Sequence, residues 1–536
     1  MSDLESVCLK QTQMPGSTAL FTDYLYRFDR VRSFYQQPPD TNAIHQAARQ
    51  ASLPAQHRKD LVAALRQQNR GMGEASASNV ELLSRSDAIV VATGQQVGLY
   101  TGPVFTLYKA ITALEHARRL REAGQPAVAV FWLATEDHDL AEVDHVWVHD
   151  TNTLPSRLQG KAPHSENQPV GTVVLADTVL DELGAHLAEL PFSSQALVLA
   201  ERAYPAGVSF RDGFRCLLNS LLRDAGLIFL DPMDPAIRRL AAPLFDGVLR
   251  QEPELYEALA ERSQALVDAG YHAQVRVAPE TSLLFRIEQD RRIALKRTPQ
   301  GYQDEEGACS VDSMRETLAE APQRFSPNAL LRPVTQDFLL PTAVYIAGPS
   351  EIAYLAQAEA LYDRLLGRMP VVLPRVSLTI INARAERLLK RYRLSPTDCL
   401  QTAEDLRRKI ARRLVPAGLE RQMETGQIRI ERALTEVHRE LAAFDATLGQ
   451  ALENTSKKML YQFNKIRSKA AQEGLRRDAR AQGDAAYLAN LIYPERHPQE
   501  RLYSALSFYA RHGPDFVESV RKAVRPDCHD HQVLTL

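Results

Sequence analysis

One stripe of apolar residues constrains this chain more than any other feature. Ile430, Leu434, Val437, Leu441, Phe444 and Leu448 alternate spacings of four and three, the seam of a heptad coiled coil. From Leu441 the steps become three, four, four, through Phe444, Leu448, Leu452, Thr455, Met459, Phe463, Ile466 and Ala470. That 11-residue repeat straightens or slightly reverses the supercoil. No proline and only two glycines fall between Gln427 and Ala481. At 1.5 Å per residue the pattern predicts one helix on the order of 80 Å long, too long to lie on a single core. It must project as an arm. Pro416 and Gly418 set it off from a shorter helix at 403–414, which offers an antiparallel partner. A solvated single helix is the alternative, and the apolar stripe argues against it.

Upstream the pattern is different. Residues 87–93 (DAIVVAT) and 127–134 (AVAVFWLA) are short apolar runs. Between them Val104, Leu107, Tyr108, Ile111 and Leu114 recur at helical spacing, and Gly124 supplies a stop. Strand, helix and strand with both strands apolar is the signature of a buried parallel βαβ unit. GLIFL at 226–230 repeats the helix-to-strand step, and 342–347 (TAVYIA) and 371–373 read as further core strands. Residues 151–169 read as loop and 297–333 as mixed and mostly irregular; both are expected to be insertions, because structureless loops of that length are uncommon inside a core. The expected division is an α/β core over 1–395 with insertions near 150–205 and 297–333, a helical coiled-coil arm over 396–482, and a segment over 483–536 that returns to the core.

A chain of 536 residues can bury a full core without disulfides. Its 64 basic and 66 acidic residues leave a net charge of −2, so no overall field points to nucleic acid or to a membrane surface. Cys8, Cys216, Cys309, Cys399 and Cys528 are far apart and form no CxxC pair, which suits a reducing compartment. The start, MSDLESVCLK, has no charged n-region followed by an apolar run, and no stretch approaches the ~18 apolar residues of a membrane span. The expectation is a cytoplasmic protein.

Four constellations carry chemistry. The first, Gly94-Gln95-Gln96-Val-Gly98-Leu-Tyr-Thr101-Gly102-Pro103, lies between the first strand and its helix. Glycines let a ligand approach the backbone, and the free N–H groups of a helix start suit a phosphate or carboxylate. Lys109, two turns on, adds a positive charge if it faces inward. A tight βα turn with no ligand is the alternative. The second is Glu136-Asp137-His138-Asp139, directly after the second strand, where open α/β sheets bind ligands. Carboxylates beside an imidazole suit acid–base chemistry; with His145 they could instead ligate a metal, or simply cap a helix. The third joins Arg332, Gln336 and Asp337 to Gly348 and Glu351 across the strand TAVYIA, with Arg375 after the next strand. This repeats the strand–Gly-Pro–helix turn, and two such turns would face one crevice. Ser350 and Glu351 could equally cap the helix. The fourth, Gln499-Glu500-Arg501, reads from the residues alone as a solvated pair.

Taken together, TGQQVGLYTGPVFTLYKAI, VFWLATEDHDLAEVDHV, LRPVTQDFLLPTAVYIAGPSEIAYLAQ and the late PQERL resemble the bacillithiol-synthesis cysteine-adding enzymes (BshC), colinearly over most of the chain. The resemblance implies a Rossmann-like core with two connecting insertions, a coiled-coil arm used for homodimerisation, and a ligase that joins cysteine through its carboxyl group to the amine of glucosaminyl malate. For that reaction Asp137, His138 and Asp139 are the expected catalytic residues, because an imidazole flanked by carboxylates suits the transfer of the amine's proton. Substrate contacts would come from Glu136, Arg332, Gln336, Asp337, Gly348, Glu351, Arg375, Gln499, Glu500 and Arg501. That family resembles class I aminoacyl-tRNA synthetases in fold, which implies ATP held by Gly94, Gln95, Gln96, Gly98, Thr101, Gly102 and Lys109. The HxGH histidines of those synthetases are absent here, and Ser456-Lys-Lys-Met-Leu lies inside the coiled coil. Two other readings stay open: a metal-dependent hydrolase or deacetylase built on Asp137, His138 and His145, and a non-enzymatic coiled-coil scaffold that binds a nucleotide.

Overall fold

The computed structural model describes residues 6–305, 307–525 and 528–536; the first five residues of the segment read for a leader lie outside the described residues. At its centre are β1 (Ile89–Gln95), β2 (Ala127–Leu133), β3 (Ile228–Leu230), β4 (Thr342–Ala347) and β5 (Val371–Pro374). They form one sheet in the order β5-β4-β1-β2-β3, with every pairing parallel. Side chains alternate between two cores. Ile89, Val91, Ala129 and Phe131 face one, while Val90, Ala92, Val130 and Trp132 face the other. Both faces are covered, so the strands are apolar throughout. Helix α1 (Phe105–Glu122) buries Leu107, Tyr108 and Ile111 on the first face. Helices α2 (Pro235–Asp268) and α3 (Pro349–Leu365) bury Phe245, Val248, Ile352 and Leu355 on the second. Each such side chain contributes roughly 1.5–3 kcal/mol when fully buried.

The order reverses between β1 and β4, and a crevice opens where the connections from these two strands part. β1 runs two residues further than its apolar run, through Gly94 and Gln95, which pair with Trp132 and Leu133. A Cβ at Gly94 would stand 2.8 Å from the Trp132 carbonyl oxygen, so only glycine lets the strands continue this close.

The two interruptions are structured. Within the first, His145–His149 and Pro155–Gln159 form an antiparallel hairpin, followed by helices Leu180–Leu187 and Ser193–Ala203; the stretch read as loop therefore contains a strand. The second begins earlier and is not irregular. Strands Thr281–Glu288, Arg291–Thr298, Gly301–Asp304, Gly307–Cys309 and Phe325–Pro327 make an antiparallel sheet backed by helix Val311–Glu320. Tight turns at Gln289–Asp290 and Gly301, all at positive φ, break these strands into runs too short for periodicity to register. Prolines 243 and 253 inside α2 hide that helix in the same way.

The arm differs from the expected single 80 Å helix. It is two helices, α4 (Ala417–Phe444) and α5 (Ala446–Arg477). Asp445 takes extended backbone angles, and its carboxylate accepts from the N–H groups of Thr447 and Leu448, capping α5. The helices fold back on one another. Gly449 lies against Ala442 and Gly426 against Phe463, while Arg467 pairs with Glu420 and Gln427. Rising numbers on one helix meet falling numbers on the other, so the hairpin is antiparallel. At 28 and 32 residues it is on the order of 45 Å long. The 403–414 helix packs at its base, where Ala411 and Val415 meet Ala471.

The last residues return to the core. Helix Ala505–His512 buries Leu506 and Phe508 in the first core against helix Ser193–Ala203, and His531–Thr535 joins Ser6–Leu9 and Leu378–Ile381 in a small sheet. Among the described residues no helix is long and apolar enough to cross a membrane.

Candidate functional site

A cavity of about 410 Å³ lies at the carboxyl ends of the central strands. Gly94, Gln95 and Gln96 reach it from β1, Glu136 and Asp137 from the end of β2, Gly348 and Glu351 from the end of β4, and Arg375 from β5. The two glycine-bearing turns thus face one crevice. Lys109, Arg332 and Arg501 complete the set foreseen in the sequence. Phe105, Trp132, Arg292, Asn328, Tyr345 and Tyr354 line it too and have no local sequence signal. Arg292 arrives from the inserted sheet and Asn328 from just after its last strand, both far along the chain from β2.

Lys109 faces inward. Its Nζ donates to the Gly94 carbonyl (2.8 Å) and Gln95 Oε1 (2.9 Å) and pairs with Glu351 at 2.5 Å. Burial lowers its pKa against the pull of Glu351. Burial alone would raise that of Glu351, but Lys109, Tyr345 and the Gly348 N–H hold it down. Glu351 accepts from Tyr345 (2.7 Å) and Gly348 N (2.7 Å), so it caps α3 and lines the cavity at once. Arg332 donates to Tyr354 (2.8 Å), Tyr345 (3.3 Å) and Gln336 (3.4 Å).

Asp137 accepts from Gln96 (2.7 Å) and from the His138 N–H (2.8 Å). His138 sits just beyond the wall, its side chain about one-third exposed and its Nδ1 3.4 Å from Arg292. Burial first, then Arg292, lowers its pKa, so the imidazole is neutral near pH 7. Asp139 caps the next turn through Glu142 N. Gln336 and Asp337 do not reach the cavity: Asp337 is bonded to Gln336 and Tyr362 in the core. Gln499 is spent on the backbone of Ile380 and Leu491. Glu500 grips Arg375 through two 2.8 Å bonds and also accepts from Ser377 and Leu378 N. Burial opposes its charge, yet Arg375 brings its pKa down to about 2.

A second cavity, about 330 Å³, adjoins the first through Gln95, Gln96 and Arg501. Gly98, Thr101, Gly102 and Thr106 form one side, with His145, Glu142, Glu495 and His497 opposite. Tyr100, Thr101 and Gly102 have φ of 49°, 68° and 63°. Left-handed backbone at two consecutive non-glycine residues costs of order 1–3 kcal/mol each. Tyr100 is held there by bonds from its hydroxyl to Thr178 O and from Ser504 to its carbonyl. The hydroxyls of Thr101 and Thr106 are buried without a partner among the described residues. Arg501 also reaches a third cavity of about 220 Å³ behind the Arg375–Glu500 pair. Among the described residues its guanidinium has no hydrogen bond and no ion pair. His145 is paired with Asp144, and no three His, Cys, Asp or Glu side chains among the described residues are gathered as a metal site; Asp137, His138 and His145 are not brought together.

Comparison with known proteins gives a consistent result. Residues 4–376 match the description "Bacillithiol biosynthesis BshC, N-terminal Rossmann-like domain" and residues 378–536 "Bacillithiol biosynthesis BshC, C-terminal coiled-coil domain". A protein of Solibacter usitatus named "Putative cysteine ligase BshC" is 43% identical over 99% of this chain and 100% of its own. Relatives of the same name from Koribacter versatilis and Salinibacter ruber are 34% and 32% identical, covering 98% and 96% of this chain and 99% and 96% of theirs. The core, the arm and the residues at the strand ends therefore have one explanation: the chain belongs to the bacillithiol biosynthesis BshC family.

Proposed function

We propose that this chain is a ligase that joins L-cysteine, through its carboxyl group, to the amine of glucosaminyl malate. The observation that carries the reading is Arg501, an uncommitted guanidinium standing where the two cavities meet. Both reactants bring carboxylates, and Arg501 offers a guanidinium group that recognises one bidentately, while Arg332 on the same wall is held by Tyr345, Tyr354 and Gln336 and adds positive charge. ATP is the proposed phosphate donor, supplying the leaving group that activates the cysteine carboxyl. The second cavity is the proposed place for its phosphates: Gly102 leaves the backbone open there and Arg501 offsets negative charge. Lys109 holds the end of β1 in register with α3 through Gly94, Gln95 and Glu351. The attacking amine must shed a proton, and neutral His138, oriented by Arg292 beside Asp137, is the proposed acceptor.

The arm is proposed to make a homodimer. Val437, Phe444, Met459 and Ile466 are 50%, 83%, 50% and 59% exposed on the hairpin, an apolar face of the kind that marks an association surface.

Purified protein incubated with cysteine, glucosaminyl malate and ATP tests the reaction by mass spectrometry. The amide and one nucleotide product per amide are expected. No amide from protein that binds both substrates overturns the reading.

A further inference from the structure

Two thiols from opposite ends of the chain meet at the small terminal sheet. Strand Ser6–Leu9 runs antiparallel to His531–Thr535, with Cys8 opposite Gln532. The residues just before His531 are tied alongside the same stretch. Gln11 donates from Nε2 to the His529 carbonyl (3.3 Å), and its N–H donates to the Tyr26 hydroxyl (2.9 Å), which in turn donates to Asp530 (2.6 Å). This brings the Cys528 thiol to that of Cys8 as a hydrogen-bond partner. Both cysteines are free, Cys8 exposed and Cys528 half-buried. Cys399, by contrast, is buried and turned to the Ser395 carbonyl.

An exposed thiol beside a second thiol can carry a disulfide exchange to completion. The first opens a small disulfide and is left as a mixed disulfide, which the second resolves. Two hydrogen-bonded segments hold this pair together, so the resolving step is intramolecular. Burial raises the pKa of the Cys528 thiol, which leaves the exposed Cys8 to react first.

We propose that Cys8 and Cys528 form a thiol–disulfide exchange site for low-molecular-weight disulfides. Cys8 loses its proton and attacks one sulfur of a disulfide RSSR; the S–S bond breaks, and RS⁻ leaves and takes up a proton. Cys528 then loses its proton and attacks the Cys8 sulfur, and the second RS⁻ leaves as RSH. Two protein thiols are oxidised to one disulfide while RSSR is reduced to two thiols. The new bond joins the two ends of the chain. It lies close to His531, which is hydrogen-bonded to Ser377 (2.7 Å), and Ser377 donates to Glu500 (2.9 Å), the partner of Arg375 on the main cavity wall. The site is independent of the ligase reading, although cystine, the disulfide of the amino acid in that reaction, belongs to its class of oxidant.

The test is a thiol map. Reduced wild-type protein is incubated with cystine, unfolded with a thiol-blocking reagent, digested without reductant and read by mass spectrometry. A peptide pair linked through Cys8 and Cys528 is expected, with two of the five thiols lost and Cys216, Cys309 and Cys399 still blocked as free thiols. Cys528→Ser should stop at a cysteinyl adduct on Cys8, and Cys8→Ser should leave Cys528 unmodified over the same time. Wild-type protein that keeps all five thiols overturns the proposal. So does a stable cysteinyl adduct on wild-type Cys8 with Cys528 still free, or loss of all five thiols at equal rates, which is unspecific oxidation. The wild-type map decides the matter even if a variant fails to fold.

Discussion

Lys109 carries its charge into a region almost free of water. It is 2% exposed, and the side chain of its partner Glu351 is only 15% exposed. Removing one member of such a pair leaves an uncompensated charge and typically costs ~3–5 kcal/mol. Lys109→Met should therefore lower stability by about that amount in denaturant unfolding, and the double variant K109M/E351L should recover part of the loss. Equal stability of K109M and wild type would show that the pair is not held as described. His138→Ala tests chemistry instead. Loss of a general base costs on the order of 10²–10⁴-fold in kcat, here with substrate affinity kept. Because burial and Arg292 lower the His138 pKa, the acid-side loss of rate should fall at lower pH than for a free imidazole. Wild-type turnover by H138A would mean that the imidazole only supports Arg292. Gly94–Gln96 and Glu136–Asp137 were legible because a strand end speaks through its neighbours in sequence. Trp132, Arg292 and Tyr354 were not, since what brings them to the cavity is packing between distant segments. Gln499 and Glu500 stood out only through family resemblance, and the structure uses both as internal ties.

At the scale of elements, the apolar repeat from Ile430 to Ala470 was read correctly as helix and coiled coil but not as a hairpin. The break needs one residue. Asp445 leaves helical geometry and caps the next helix, a signal drowned by unbroken helical residues on both sides. The hairpin also divides the seam. Leu434 and Leu441 are half-buried between the two helices, whereas Val437, Phe444 and Ile466 face outward. Replacing Val437, Phe444 and Ile466 by Asp should give a monomer in sedimentation while helix content by circular dichroism is kept. A dimer that survives all three changes would place the association surface elsewhere.

At the scale of the molecule, two buried histidines, His149 and His531, and two partly buried ones, His116 and His512, link stability to pH. Burial lowers the pKa of His116, His512 and His531 to about 4 and that of His149 to about 3, from an ordinary 6.5. Between pH 6.5 and 4 the unfolded chain binds protons that the folded chain refuses, so stability falls as pH falls through that window. The melting temperature should drop steadily from pH 6.5 to 4, and a flat profile would contradict the buried neutral state. Arg501 stands where the two cavities at the strand ends meet. Among the described residues its guanidinium makes no hydrogen bond or ion pair, so Arg501→Met should melt like wild type. Side-by-side measurement of cysteinyl amide formation by wild type and R501M, with both substrates and ATP, tests the role of Arg501 in the proposed reaction most directly. Wild type should form the amide, and R501M should lose on the order of 10- to 100-fold in kcat/KM. Equal rates in the two proteins would contradict it.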